Sequence, residues 1–325
     1  MTGVPEGAAG FLAGAGWADA DIQPLQGDAS FRSYYRVRRD GGTAMLMHAP
    51  PPHEDPAPFL RVGRWLLDQG LRAPAIHAED AERGFILLED FGDARVRDHL
   101  DEHGSDAEEA IYARAVDALV TLQTKDPGPF PPYGMDTYLR EVDLFTEWYC
   151  PLVGIDVDQE GWTAAWREAL TPLLDRQRPG VTVLRDYHAE NIMLLPDGGQ
   201  GIIDFQDALV GHRAYDLVSL LQDARRDVSE ELERAMLERY MAAAKPGPEF
   251  AADYARLGAQ RNAKIVGIFA RLNRRDGKPR YLAMIPRVWA LLERDLAHPD
   301  LAPVERWFAA NIPPHIRDNF GGELQ

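Results

Sequence analysis

The feature that most constrains this chain is a polar segment followed by two short apolar runs on either side of a turn. It lies within residues 181–207, VTVLRDYHAENIMLLPDGGQGIIDFQD. The first four residues are apolar and largely β-branched, which is typical of a strand. The later runs flank Pro-Asp-Gly-Gly, a sequence that favours a β-hairpin turn. Pairing about this turn is expected to set Asn191 roughly opposite Asp204, with Asp186 on the loop beside them.

The open end of this predicted hairpin has the donor chemistry of a cation site. Asn191 and Asp204 both carry side-chain oxygen atoms. Mg²⁺ prefers such ligands and fills its other positions with water and phosphate. Asp186 would then be available to orient a hydroxyl nucleophile. Asp and Asn are also common turn formers, so it is the combination of loop, spacing, hairpin and second Asp that indicates a site.

Bulk composition excludes several classes of function. The chain has 325 residues, enough for one large domain or two lobes, and a net charge of −17. That charge disfavours nucleic acid or an anionic membrane as the main partner. Cys150 is the single cysteine, so no internal disulfide can form, which fits a reducing cytoplasm. We therefore expect a cytoplasmic protein without a signal peptide or membrane span.

The spacing of the polar segment matches a known catalytic pattern. Asp-x-x-x-x-Asn runs from Asp186 to Asn191, and Ile-Asp-Phe follows around Asp204; this is the kinase-type catalytic loop and metal-binding Asp. The chain resembles the aminoglycoside-phosphotransferase-like small-molecule kinases. The resemblance implies an α+β, bilobal protein-kinase-like fold, with a small β-rich N-lobe in residues 1–90 and a mainly helical C-lobe in residues 91–325. It also implies ATP and Mg²⁺ as ligands.

The N-terminal part is predicted to form a strand, a small-residue turn, a second strand, a Gly-Gly turn and a third strand. In the family that it resembles, the first turn covers the nucleotide. Gly27 would allow close approach of the backbone to a phosphate, and the Ser30 hydroxyl would donate to one. A later apolar strand leads into Glu89 and Phe91. This link resembles the kinase hinge, whose backbone groups meet the adenine edge.

The third strand departs from the family pattern. Kinases place a Lys there to hold the nucleotide phosphates, but the strand at residues 43–48 has none, and no Lys precedes Lys125. Two explanations remain open. Either an arginine, with Arg32 and Arg36 the nearest in sequence, or the metal carries that charge, or the lobe no longer binds nucleotide productively. The intact metal-binding end favours the first, and Arg32 is the predicted nucleotide contact.

The remainder of the chain is predicted to be mainly helical. Apolar residues at helical spacing mark one face from residue 107 and another from residue 139. Asp216 falls in the first turn of a helix, where a carboxylate interacts favourably with the helix dipole. Later helices are predicted at about 229–244, 249–272, 281–296 and 303–311.

Several longer phrases resemble the anomeric sugar kinases, which phosphorylate N-acetylmuramate and N-acetylglucosamine at C1 in cell-wall recycling. These phrases are residues 184–188, 203–208, 215–221, 223–227 and 275–278. The resemblance implies a small amino sugar as acceptor. Candidate contacts to it are Glu141, Tyr149, His188, Asp207 and Arg225. Helical aromatics such as Tyr149 are more often part of a core, and the basic segment 271–278 is an alternative to Arg225 for facing an anionic substrate.

Two other functions remain compatible with the sequence. One is a kinase of the same fold that acts on an aminoglycoside, a choline-like compound or an amino-acid alcohol. The other is a nucleotide-binding protein without turnover, which the absent strand Lys suggests. In each case the expected partners are small molecules and a nucleotide, with no obligate protein partner.

Overall fold

The computed structural model describes residues 3–25 and 32–322, and it divides into two compact units. The first, which we call the sheet unit, comprises Met1–Gly104 and Glu190–Ala208. The second, the helical unit, comprises Ser105–Ala189 and Leu209–Gln325. The sheet unit thus extends beyond the predicted boundary at residue 90, and it includes the hairpin that the prediction assigned to the C-lobe.

The sheet unit is built on an antiparallel sheet with strand order β1-β2-β3-β5-β4. Its strands are β1 Asp21–Pro24, β2 Ser33–Arg39, β3 Gly42–His48, β4 Ile76–Asp80 and β5 Phe85–Glu89. Successive residues of a strand face opposite sides and alternate residues share a face, so Tyr35 and Val37 of β2 point to one buried face. Phe11 and Leu12 of helix α1 (Ala8–Gly14) cover that face.

Two further helices and the predicted hairpin complete the sheet unit. The helices are α2 Ala57–Asp68 and α3 Val96–His103, and the hairpin strands are β7 Ile192–Leu194 and β8 Gln200–Ile202. The hairpin packs on the sheet unit because Leu194 N–H donates to Ala94 O (2.7 Å) and Ile202 N–H donates to Arg72 O (2.8 Å). Phe205 also stacks on Phe59 of α2, with ring centroids 5.0 Å apart. These contacts explain why the hairpin belongs to this unit.

Helices dominate the second unit, as the apolar spacing predicted. They are α4 Glu108–Leu122, α5 Met135–Leu144, α6 Cys150–Leu152, α7 Gln159–Arg176, α8 Ala214–Leu221, α9 Glu230–Ala244, α10 Phe250–Asp276, α11 Ile285–Leu296, α12 Ala302–Asn311 and α13 Pro314–Arg317. A π-helical turn, Phe145–Tyr149, joins α5 to α6. The long helix α10 packs against α5, α8 and α11. It is the central element of this unit.

A short ladder positions the polar loop in the helical unit. Strand β6 (Val181–Val183) pairs antiparallel with β9 (Leu209–Gly211), and the polar loop begins directly after β6. The combination of an antiparallel sheet lobe and a helical part confirms the predicted fold class. Within the part of the chain that the structure describes, no helix is both long and apolar enough to cross a membrane.

Candidate active site

The metal-binding residues predicted from the hairpin lie together in the sheet unit. Asn191 precedes β7, and its backbone carbonyl accepts a hydrogen bond from Ile203 N–H (3.0 Å). This extends the hairpin pairing to its open end, where Asn191 Nδ2 lies 3.4 Å from Asp204 Oδ2. Asp204 is exposed and has a φ of 60°. Such a left-handed conformation is uncommon outside glycine, although Asp tolerates it better than most residues.

The donor set at the hairpin mouth fits a hard cation. Asp204 supplies carboxylate oxygens, and rotation of the Asn191 amide would turn its oxygen toward the same place. Gln206 Nε2 donates to Asp204 (3.0 Å), while Gln206 Oε1 is buried without a hydrogen-bond partner. Such an orphaned acceptor is costly unless something fills it. Oxygen ligands of this kind are what Mg²⁺ requires.

Arg32 and Arg36, the two candidates for the missing strand Lys, have different surroundings. Arg36 is buried and donates to both Asp90 (2.7 Å) and Asp93 (2.8 Å), and these hydrogen bonds and charges hold its pKa well above the usual value. Arg36 therefore holds the segment after β5. Its guanidinium is already paired within the protein and is not available to a nucleotide phosphate. Arg32, by contrast, has Nε and Nη1 buried without hydrogen-bond partners, and its Nε is 4.0 Å from Glu54.

Arg32 and Asp204, at the predicted metal-binding end, both act on the same residue, Tyr34. Burial raises the pKa of the Tyr34 hydroxyl; the Arg32 cation opposes this rise, and the Asp204 carboxylate adds to it. Tyr34 is therefore within electrostatic range of both residues. Of the two arginines, Arg32 is the one whose donors remain available to an anion.

The remaining predicted nucleotide contacts divide into two pairs. Gly27 and Ser30 lie outside the described residues. Glu89 donates its backbone N–H to Ala75 O (2.9 Å), and its carboxylate pairs with Arg72, so its side chain has a structural role. The Phe91 ring is buried beneath the Arg72 guanidinium, 4.7 Å from the ring centroid, and packs with the hairpin. Any nucleotide contact at these two residues must therefore come from the backbone.

Asp186 follows a strained turn in the helical unit. Asp186 N–H donates to Leu184 O (3.0 Å), and the residue between them, Arg185, has a φ of 74°. This matches a classic γ-turn, which is rare and strained. Asp216 of α8 accepts the backbone N–H groups of Leu184 (2.7 Å) and Arg185 (2.8 Å). Asp216 lies in the first turn of α8, as predicted, and its carboxylate also holds the loop that carries Asp186.

Basic groups keep Asp186 ionised. Arg261 of α10 places Nη2 3.5 Å from Asp186 Oδ1, and its Nη1 donates to Arg185 O (2.9 Å). Desolvation alone would raise the pKa of Asp186, but Arg261 and Lys264, with smaller effects from His188 and Arg185, hold it well below its usual value. The side chain is still 43% exposed. Asp186 is therefore an accessible, ionised carboxylate that can accept a hydrogen bond.

Glu141, a predicted substrate contact, is part of the protein's own ion network. Its buried carboxylate pairs with Arg185 and with Lys264 (3.1 Å), and it accepts a hydrogen bond from the Tyr133 hydroxyl. Burial alone would raise the pKa of Glu141, but the larger combined effect of Lys264 and Arg185 holds this pKa below its usual value. The structure thus assigns its charge to orienting the residue that precedes Asp186.

The other predicted substrate contacts differ in exposure. Tyr149 is fully buried, and its hydroxyl donates to Gly321 O (2.7 Å), so the structure contradicts a ligand contact at this residue. His188 is buried with Nε2 3.3 Å from Arg225 Nη1, and burial lowers its pKa. Asp207 is exposed at the end of the hairpin segment. His188 and Arg225 lie together in the helical unit, while Asp207 belongs to the sheet unit.

Sequence reasoning missed Arg261 and Lys264 of α10 as neighbours of the reactive loop. The one available signal was their spacing of three residues, which places both on one helical face. That signal is common on helices and does not specify a partner 75 residues earlier in the chain. The role of Asp216 was likewise not visible in its local sequence.

Comparisons with known proteins find a matching family and several relatives. The family model described as "Phosphotransferase enzyme family" matches residues 21–259. An N-acetylmuramate/N-acetylglucosamine kinase of Pseudomonas aeruginosa is 39% identical over 311 residues, covering 91% of this chain and 90% of the relative. A protein of the same name from Caulobacter vibrioides is 37% identical over 355 residues, covering 95% and 97%. A choline/ethanolamine kinase family protein from Mesorhizobium loti is similar in fold, with a TM-score of 0.60, 16% identity and coverage of 92% and 96%.

Proposed function

This chain belongs to the phosphotransferase enzyme family, and from that premise we infer that it is an ATP-dependent sugar kinase that phosphorylates the C1 hydroxyl of N-acetylmuramate and N-acetylglucosamine. Relatives with that name, 36–39% identical to this chain, support the choice of acceptor. Both sugars are components of the bacterial cell wall. We therefore place the activity in the recycling of cell-wall amino sugars.

The observation that carries the proposal is that the Asp186 carboxylate is both accessible and ionised. An accessible carboxylate, held ionised by Arg261 and Lys264, can accept a hydrogen bond from a sugar hydroxyl. Phosphoryl transfer from ATP passes through a loose transition state, so the protein mainly positions groups and neutralises charge. Asp186 orients the hydroxyl and takes its proton as the new O–P bond forms. An anomeric hydroxyl is more acidic than an ordinary alcohol, which makes this transfer easier.

The sheet unit supplies the groups for the nucleotide. Asn191 and Asp204 are the residues that would hold Mg²⁺, with the orphaned Gln206 oxygen beside them. When bound, the ion neutralises charge on the phosphate oxygens. Arg32 supplies the cation that other kinases provide with a strand Lys, because Arg36 is already paired with two aspartates. The backbone at Glu89 and Phe91, with Gly27 and Ser30, completes the proposed nucleotide contacts.

An acceptor panel tests the proposed reaction. We expect Mg-ATP turnover, measured as ADP release, to be stimulated by N-acetylmuramate and N-acetylglucosamine and not by kanamycin or choline. The matched control is the methyl glycoside of N-acetylglucosamine, whose C1 oxygen is blocked. Stimulation by this glycoside would exclude C1 as the acceptor position, and stimulation by kanamycin or choline alone would assign the chain to another substrate class.

The role of Asp186 is tested by Asp186→Asn. This change keeps the shape of the side chain but removes the proton acceptor, so kcat should fall by roughly three orders of magnitude. Binding of Mg-ATP, followed by its effect on thermal unfolding, should stay near that of the wild type. Near-normal turnover in this variant would contradict the role assigned to Asp186.

A further inference from the structure

We propose that Arg271 of α10 binds the lactyl carboxylate of N-acetylmuramate and so determines how well the enzyme accepts the acidic sugar. The inference rests on the proposed function and adds a specificity residue to it. N-acetylmuramate and N-acetylglucosamine share the amino-sugar ring, and they differ by a lactyl group that carries a carboxylate. An enzyme that accepts both needs a cation that serves one of them and is dispensable for the other.

Arg271 takes part in no ion pair among the described residues. Its Nε is buried without a hydrogen-bond partner. Burial lowers the pKa of Arg271 and the nearby Arg275 lowers it further, while Asp276 and Glu147 oppose this weakly. Arg185 and Arg261, by contrast, have raised pKa values because anionic groups face them. A partly buried guanidinium without an anion is unfavourable unless a ligand provides one.

Arg271 also lies on the same face of α10 as the residues around Asp186. At about 100° per residue, positions 261, 264 and 271 fall within a stripe of roughly 80°. Arg261 contacts Asp186, and Lys264 contacts Glu141. Arg271 lies about 15 Å further along the axis than Arg261, at a rise of 1.5 Å per residue. Long side chains on a helix lean toward its N-terminus, which for Arg271 is the direction of Lys264 and Arg261.

The neighbouring π-helical turn fixes this part of α10. A side chain at Gly267 would meet backbone atoms of Leu144 and Phe145 at 2.3–2.6 Å, so the turn lies directly on the helix. Glu147 of that turn is exposed and within electrostatic range of Arg271. Arg271 itself is half-buried, so part of its side chain is accessible to a solute. π-Helical turns are frequent at functional sites.

The charge of the whole chain makes a dedicated cation necessary. With a net charge of −17, the protein repels a sugar carboxylate, and a local positive group must offset this repulsion. A guanidinium suits the task because it can donate two parallel hydrogen bonds to one carboxylate. With the C1 hydroxyl at Asp186, the lactyl group on O3 extends away from the reacting atoms. Arg271 would then act on binding and leave the chemical step unchanged.

The test compares kcat and KM for both sugars in the wild type, Arg271→Gln and Arg271→Lys. For Arg271→Gln we expect KM for N-acetylmuramate to rise about 10- to 100-fold, the loss typical of a charged hydrogen bond. Its kcat, and both constants for N-acetylglucosamine, should stay near wild-type values. Arg271→Lys should recover part of the loss because it keeps the charge. Arg306→Gln, which removes the same charge from an exposed position of α12, should leave both sugars unaffected.

Each outcome bears on the inference. Unchanged N-acetylmuramate kinetics in Arg271→Gln, or equal losses with the two sugars, would overturn it while leaving the kinase activity established. Activity with N-acetylglucosamine also reports that the variant is folded. A wild-type protein that phosphorylates neither sugar would overturn both the proposed function and this inference.

Discussion

Two arginines four residues apart in the sheet unit illustrate how environment decides the role of a residue. Arg36 is buried against Asp90 and Asp93, so its charge is used within the fold. Arg32 keeps Nε and Nη1 without hydrogen-bond partners. Alternate residues of a strand share a face, and the sequence alone could not separate the two. The partners of Arg36, 54 or more residues later in the chain, engage its charge and leave Arg32 as the candidate for an anion.

This difference predicts opposite effects of the same substitution. Arg32→Gln should raise KM for ATP by at least about 10-fold, because it removes a charged hydrogen bond to the phosphates, and should leave the free energy of unfolding nearly unchanged. Arg36→Gln should lower that free energy by about 3 kcal/mol, because it leaves buried Asp90 without its partner. Steady-state kinetics with denaturant unfolding would measure both effects. A wild-type KM for ATP in Arg32→Gln would refute its assignment to the nucleotide.

Among the elements, β6, the loop after it and α8 act together. The left-handed conformation of Arg185 costs on the order of 1–3 kcal/mol, and it persists because neighbouring groups hold it. Asp216 accepts the N–H groups of Leu184 and Arg185, and Arg261 donates to the carbonyl of Arg185. The position of Asp186 thus depends on a side chain from α8 and another from α10.

Asp216→Asn tests this dependence. The amide keeps one acceptor oxygen and presents N–H groups where the second acceptor was, so we expect a loss of about 1–3 kcal/mol in stability. A displaced Asp186 should also lower kcat by at least about 10-fold. Ser229→Ala is the matched control, because it removes the hydrogen bond from Leu232 N–H at the start of α9. It should cost about 1 kcal/mol with kcat unchanged. Equal kcat values for the two variants would show that Asp216 has only a structural role.

The elements themselves were more predictable than their partners. Local patterns predicted the hairpin, strands β2, β3 and β5 and the later helices, because strand alternation and helical spacing are properties of neighbouring residues. Strand β4 was not predicted. The spacing from Asp186 to Asn191 is likewise local, and it is the basis for the predicted reactive segment. Tyr149 shows the limit: its helical stripe is more typical of a core but is compatible with a binding face, and the contact with Gly321 decides between them. Ion pairs such as Glu141 with Lys264 join distant segments, and no local pattern encodes them.

Across the whole molecule, buried carboxyl groups fall into two classes, whose contributions to stability change with pH in opposite directions. Cations surround some of them: burial alone would raise the pKa of Asp253, but Arg176 and His212 hold it at about 2. This group contributes stability above its unfolded pKa of about 4, and the contribution is lost as pH falls through the folded value. For others, burial outweighs the effect of nearby cations such as Arg294. Burial raises the pKa of Asp295 to about 8, in spite of hydrogen bonds from Gln222 and Asn262.

The pH dependence of stability should reveal Asp295. Its folded pKa of about 8 lies above the unfolded value, so between about pH 4 and 8 the folded state binds a proton that the unfolded state has released. Its contribution is fully present below pH 4 and is lost as pH rises through 8, at about 1.4 kcal/mol per pH unit at most.

The Asn side chain of Asp295→Asn does not titrate. The free energy of unfolding of the variant minus that of the wild type should therefore increase from pH 5 to pH 8, because only the wild type loses stability over this range. The substitution itself adds a cost that does not vary with pH. Denaturant unfolding at both pH values would measure the difference, with Asp175→Asn as the same change at an exposed position. A difference between Asp295→Asn and wild type that stays constant with pH would mean that Asp295 is ionised in the folded protein.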